Sequence, residues 1–192
     1  MASLKVVFPL QILAIIAVAV GLGVMVAGRW NNSRVDDFKI SRELRTQQIL
    51  SKMGTIQAGD ILPVFDLRDS AGRKVDLKAI VRSPTLISFF DPGCGACLSD
   101  MKMFWRLAGG GPEREKIIFV TSSQPQLAAE AQQKLGTNFR VLFDLQDGYG
   151  SELGISTVPL NVTVDSCLRI TMIVAGALTE DECKNILRGN PN

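Results

Sequence analysis

The chain has 192 residues, with 21 Lys and Arg against 19 Asp and Glu, four cysteines and no histidine. Scattered cations, a net charge of +2 and only 6% aromatic residues exclude a nucleic-acid surface as its business. With no histidine and one Cys-x-x-Cys, a structural zinc site would have to draw on Cys167 and Cys183, which are separated from the pair and from each other, and no metal or cofactor is expected.

Residues 6–27 are 22 consecutive uncharged, mostly apolar residues. As a helix they reach about 33 Å at roughly 1.5 Å per residue, enough to span a bilayer once. The run exceeds the apolar core of about 7 to 15 residues in a cleavable signal peptide, and Met25-Val26-Ala27-Gly28-Arg29 fits a cleavage site poorly. An uncleaved anchor over 6–28 is expected, with Arg29-Trp30 at its far interface. Charge counting alone would keep the following domain in the cytoplasm, because Lys5 precedes the span and Arg29, Arg34, Lys39, Arg42 and Arg45 follow it. Residues 29–53 are polar and free of proline and glycine, with Val35, Phe38, Leu44, Ile49 and Leu50 in a loosely helical pattern, and read as a stalk.

Residues 54–192 suffice for one domain with its own core. The run 62–67 contains Pro63, which forbids a central strand position; with a turn at 69–73 and a return at 74–77 it reads as an edge hairpin. Strand and helix then alternate: strand 85–90, helix 97–108, strand 116–121, helix 126–135, strand 140–143. The near-continuous apolar runs Leu86-Ile87-Ser88-Phe89-Phe90 and Ile117-Ile118-Phe119-Val120 suit parallel strands covered on both faces. Segments 160–164 and 168–174 flank Asp165-Ser166-Cys167 as an antiparallel hairpin, and 179–187 reads as a closing helix with Thr179 as its N-cap.

The sharpest signal is Cys94-Gly95-Ala96-Cys97, directly after a β-rich run and where a helix would begin. Unpaired N–H groups and the dipole at a helix start stabilise a sulfur anion, so the chemistry implied is thiol-disulfide exchange. A haem-attachment reading fails because Leu98 stands where histidine is needed. Cys167 in the hairpin turn and Cys183 in the last helix are separated by a strand running about 20 Å away at roughly 3.3 Å per residue. That exceeds the Cα separation of about 4.4–6.8 Å of a disulfide, so they are not expected to be bridged.

The order of strand, Cys-x-x-Cys at a helix start, a further strand–helix unit, then Ser156-Thr157-Val158-Pro159 before a hairpin and last helix resembles the thioredoxin fold. The leading Pro63-Val64-Phe65 hairpin and the anchor are similar to the TlpA-like and ResA-like branch, membrane-tethered thiol-disulfide oxidoreductases of the bacterial envelope. The resemblance covers about residues 57–189. It implies an α/β, thioredoxin-like domain with a central mixed sheet flanked by helices, an extra N-terminal β-hairpin, and a transmembrane helix. It implies Cys94 as the nucleophile, Cys97 as the resolving thiol, Pro159 as a cis-proline facing both sulfurs, and Val158 offering its backbone to an incoming peptide. Asp100 matches the position where that branch carries a glutamate and would accept the Cys97 proton, its shorter side chain working through water or a closer backbone. Read from the residues alone, Asp100 is equally an exposed first-turn aspartate stabilised by the helix dipole.

Two departures from the family stand near the pair. Ser88 replaces the strand aspartate six residues before the first cysteine, and Gly93 replaces the usual tryptophan. Asp91 adds a negative charge there, which Lys102 would offset in part. The resemblance places the domain on the outer side of the bacterial cytoplasmic membrane. Protein thiol or disulfide clients and a membrane electron donor or acceptor are its implied partners, with a reducing role, such as cytochrome c maturation, ahead of an oxidising one. Gly95-Ala96 fixes no potential, so direction stays open. Three other readings remain. A peroxiredoxin-like peroxidase would carry threonine where Asp91 stands, and a copper chaperone of this fold would have a wider cysteine spacing and histidine. An accessory factor, such as those maturing disulfide-rich amine dehydrogenases, would differ only in its client.

Overall fold

The computed structural model describes residues 43–44, 46–47 and 56–189. The chain divides into two units, Met1–Leu44 and Arg45–Asn192. Of the first, Glu43 and Leu44 are described, both helical and exposed. The anchor expected over 6–28 and most of the stalk over 29–53 lie outside the described residues. Among the described residues no helix is long and apolar enough to cross a membrane.

The second unit is built on a five-stranded sheet. In chain order its elements are α1 (Leu77–Ile80), β1 (Thr85–Phe89), α2 (Gly95–Ala108), a 3-10 turn (Pro112–Lys116), β2 (Ile117–Thr121), α3 (Pro125–Leu135), β3 (Arg140–Phe143), α4 (Gly148–Leu153), β4 (Leu160–Val164), β5 (Ile170–Ala175) and α5 (Glu180–Leu187). The sheet order is β3-β2-β1-β4-β5. β1 and β2, and β2 and β3, run parallel through helical crossovers; β4 is antiparallel to both β1 and β5. Every residue of β1, β2 and β4 is buried, which is why β1 and β2 read as apolar runs; β4, Leu-Asn-Val-Thr-Val, alternates although both its faces are covered.

The sheet separates two cores. On one face Ile87, Phe89, Ile118, Val120, Leu160 and Val162 pack under Leu62, Leu67 and Leu77. On the other, Leu86, Phe90, Ile117 and Phe119 pack against Cys97, Met101 and Phe104 of α2 and Cys183 of α5. The segment before α1 crosses the first face and pairs with both sheet margins: Ile61 bridges Arg169 ahead of β5, and Arg68 bridges Phe143 of β3. It thus covers two edges that would otherwise expose unpaired backbone. Where sequence predicted two hairpin strands, there is one bridge, Arg68 to Lys74, and Leu77 begins a helix instead of ending a strand.

Helix ends explain the other boundaries. α3 opens on Pro125, whose missing N–H costs nothing there, and closes at Gly136 with φ 65°, a left-handed conformation that suits glycine. α5 carries a capping box: Thr179 accepts from the Glu182 N–H, and the Glu182 carboxylate accepts from the Thr179 N–H. α2 starts at Gly95, two residues before the predicted start, because Cys94 itself is the N-cap.

Candidate active site

After β1 the chain turns sharply at Asp91. One Asp91 oxygen accepts the Gly93 N–H at 2.7 Å, the other accepts the Ser123 hydroxyl at 2.9 Å, and its backbone carbonyl accepts the Cys94 N–H at 3.0 Å. This Asx turn ties the approach to the cysteines to the β2–α3 loop. A Cβ on residue 93 would sit 3.0 Å from the Asp91 carboxylate, tight enough that the carboxylate would have to give way.

Cys94 takes the extended N-cap conformation of α2, φ −85° and ψ 112°, and its sulfur accepts the Cys97 N–H at 3.3 Å. The sulfur occupies the place where a serine or aspartate oxygen usually caps a helix, against N–H groups that have no partner within the helix. Its S–H points to the Val158 carbonyl, 3.9 Å away, and the Val158–Pro159 peptide bond is cis. Beside Val158, Phe89, Phe90, Val120 and Ile155 line a small cavity of about 50 Å³.

Cys97 lies one turn inside α2 and is 1% exposed. Burial above all, then the Cys94 sulfur and the negative charge of Asp100, raise its thiol far above the ordinary 9.0, against a smaller downward pull from the Asp91 backbone. Cys97 is therefore a thiol at neutral pH, and its use as a nucleophile needs a proton acceptor. Asp100, three residues on, is also 1% exposed, and one of its oxygens accepts the Leu178 N–H at 3.0 Å. The exposed first-turn aspartate that the residues alone allowed is thus ruled out: Asp100 is in the core between α2 and the loop before α5.

Ser88 stands on β1 between Leu86 and Phe90, which face α2, so strand alternation puts it on the α2 side. Opposite it on β4 is Asn161, a residue that sequence reasoning passed over. Its only signal was an amide within a strand of otherwise apolar and β-branched residues. Lys102 is exposed on α2. Cys167 is exposed in the turn after β4, Cys183 is buried in α5, and both are free thiols, as are Cys94 and Cys97. Among the described residues no three His, Cys, Asp or Glu side chains are grouped to hold a metal ion.

A family model described as Redoxin matches residues 57–177. The thiol-disulfide oxidoreductase ResA of Geobacillus thermodenitrificans is 24% identical over 137 residues, covering 69% of this chain and 77% of the relative. A structure described as the thiol:disulfide interchange protein DsbE of Chlorobium tepidum superimposes with a TM-score of 0.61 at 16% identity, over 72% of this chain and all of that one. Peroxidoxin BcpB of Mycobacterium tuberculosis superimposes at 0.58 and 15% identity, over 70% of this chain and 97% of the other. At such identities the structural likeness is one of fold, here the thioredoxin-like α/β fold with a mixed sheet.

Proposed function

The chain belongs to the Redoxin family, and from that premise we propose that it is a thiol-disulfide oxidoreductase working through Cys94 and Cys97. The observation that carries the reading is the seat of the Cys94 sulfur, at the start of α2 and facing the carbonyl that precedes a cis-proline. Cys94 as thiolate attacks a client disulfide; one client sulfur leaves as thiolate and a mixed disulfide forms. Cys97 gives its proton to Asp100 and attacks the Cys94 sulfur. The mixed disulfide breaks, the second client sulfur leaves and takes up a proton, and a Cys94–Cys97 disulfide remains. The client gains two electrons and the chain loses two, so a donor must return them. The Val158 backbone and the cavity beside it receive the client chain.

Residues 6–28 anchor this domain, 29–53 hold it off the bilayer, and 54–192 carry the chemistry on the outer side of a bacterial cytoplasmic membrane. The relative ResA is named a thiol-disulfide oxidoreductase, which supports the exchange chemistry, and protein thiols or disulfides are the clients proposed for it. A reducing direction, with cytochrome c maturation as its setting and a membrane protein as electron donor, completes the proposal.

The test is a redox titration of the full-length chain in detergent, with alkylation and mass spectrometry resolving each cysteine. The expected result is one two-electron couple confined to Cys94 and Cys97; a pair that never forms a disulfide defeats the proposal. Rapid peroxide consumption would favour a peroxidase instead. Orientation has its own test, since Cys167 is exposed: a membrane-impermeant maleimide should label it in intact spheroplasts, and protection there would place the domain in the cytoplasm.

A further inference from the structure

The face of the sheet beneath α2 holds polar side chains that folding alone does not require. Ser88 and Asn161 are both fully buried, and the Ser88 hydroxyl oxygen and the Asn161 carbonyl oxygen have no hydrogen-bond partner within the protein. They are register partners in the antiparallel β1–β4 pair, which sets their Cα atoms about 4.5–5.5 Å apart. The Asn161 amide reaches the Gly176 carbonyl at 3.5 Å, and two residues later the Leu178 N–H binds Asp100. Ser88, Asn161 and Asp100 are thus gathered on the side of the sheet that holds Cys97. Buried oxygens without partners cost stability that an apolar pair of the same size would not.

We propose that Ser88 and Asn161 are positioning residues: their two oxygens hold one water beneath α2, and through it the proton of Cys97 reaches the Asp100 carboxylate. A buried water needs about two to four polar partners, and these oxygens with the Cys97 and Asp100 side chains make up that number. In the step, the Cys97 S–H bond breaks as the water takes that proton and passes one of its own to Asp100. The Cys97 sulfur then bonds to Cys94, and the client sulfur leaves with the electron pair of the old S–S bond. The titratable groups around Cys97 are Cys94 and Asp100 on its own helix, Cys183 on α5 and Asp91 in the preceding turn; β1 and β4 turn no titratable side chain to that face, only the neutral Ser88, Asn161 and Thr163 among their polar residues. This assignment rests on the thiol-exchange reading and names the groups that would let a short aspartate serve it.

The experiment uses the full-length chain in detergent with Cys167→Ser, which removes the exposed thiol outside the site. Reaction with 5,5′-dithiobis(2-nitrobenzoate) releases one coloured thiolate when Cys94 attacks and a second when Cys97 resolves. Ser88→Ala and Asn161→Leu should leave the first release unchanged and slow the second about tenfold at pH 7, less than the ~100-fold expected from Asp100→Asn, which removes the acceptor. The deficit should shrink as pH rises and hydroxide takes the proton directly, while Tm holds or increases. A second release of normal rate in both variants, or one slowed equally at every pH, overturns the assignment. If Asn161→Leu lowers Tm, Ser88→Ala, which deletes a single oxygen, decides. A parent chain that releases only one thiolate overturns the exchange reading itself, and this inference with it.

Discussion

The two faces of one sheet divide the work of this domain. Under the crossing segment, Ile87, Phe89, Ile118, Val120, Leu160 and Val162 meet Leu62, Leu67 and Leu77 in an apolar core. Under α2 the same strands present Ser88 and Asn161 among aromatic side chains, on the side of the sheet that holds a buried thiol and a buried carboxylate. Each apolar side chain buried on the first face stabilises the fold by about 1.5–3 kcal/mol. Each buried oxygen without a partner on the second costs about 1–3 kcal/mol. One face supplies the stability from which the other draws its chemistry.

Substitutions that strike one face at a time should separate these roles. The largest effect on chemistry belongs to Cys94→Ser, which abolishes both thiolate releases, whereas Cys97→Ser permits the first and stalls as a mixed disulfide that mass spectrometry will show. On the opposite face Ile87→Ala should cost about 2–5 kcal/mol in denaturant unfolding and leave the ratio of the two release rates unchanged. A change in that ratio would mean that the faces are not independent.

The pH dependence of stability sharpens the contrast next. An unfolded Cys97 thiol loses its proton near the ordinary 9.0, while in the folded chain burial holds the proton on to higher pH. Above pH 9 the folded state therefore binds more protons than the unfolded one, and raising the pH favours unfolding. Urea unfolding of the reduced protein should show this stabilisation in full below pH 9 and its progressive loss above, with Cys97→Ser removing that part of the decline. The smallest effect is expected from Thr179→Ala, which deletes the α5 cap; about 1 kcal/mol in unfolding free energy is expected, with the first thiolate release unaltered.

Much of this was legible because the signals are local. Strands buried on both faces announce themselves as apolar runs, and a cysteine pair after such a run marks a helix start whatever lies beyond it. Short elements were missed for the same reason. α4 begins at Gly148 after Asp147 in a left-handed conformation, and its first N–H groups are held by the carboxylate of Asp144, four residues back, instead of by the N-cap side chain, so the start does not follow the usual capping pattern. The leading hairpin shrank to single bridges because its residues stretch across a face of the sheet toward opposite margins, a long-range outcome that alternation cannot report. Whether Asp100 was surface or core depended on a backbone N–H 78 positions downstream, and the place of Asn161 depended on strand register.

That distant N–H also sets an order of events during synthesis. The chain emerges from the ribosome amino end first, so both cysteines of the site are made long before Leu178 exists to hold the Asp100 carboxylate. A polypeptide ending just short of Leu178 would carry both cysteines and the whole five-stranded sheet but not the N–H that holds the Asp100 carboxylate. Completion of the site therefore waits on a loop made after both cysteines and all five strands of the sheet.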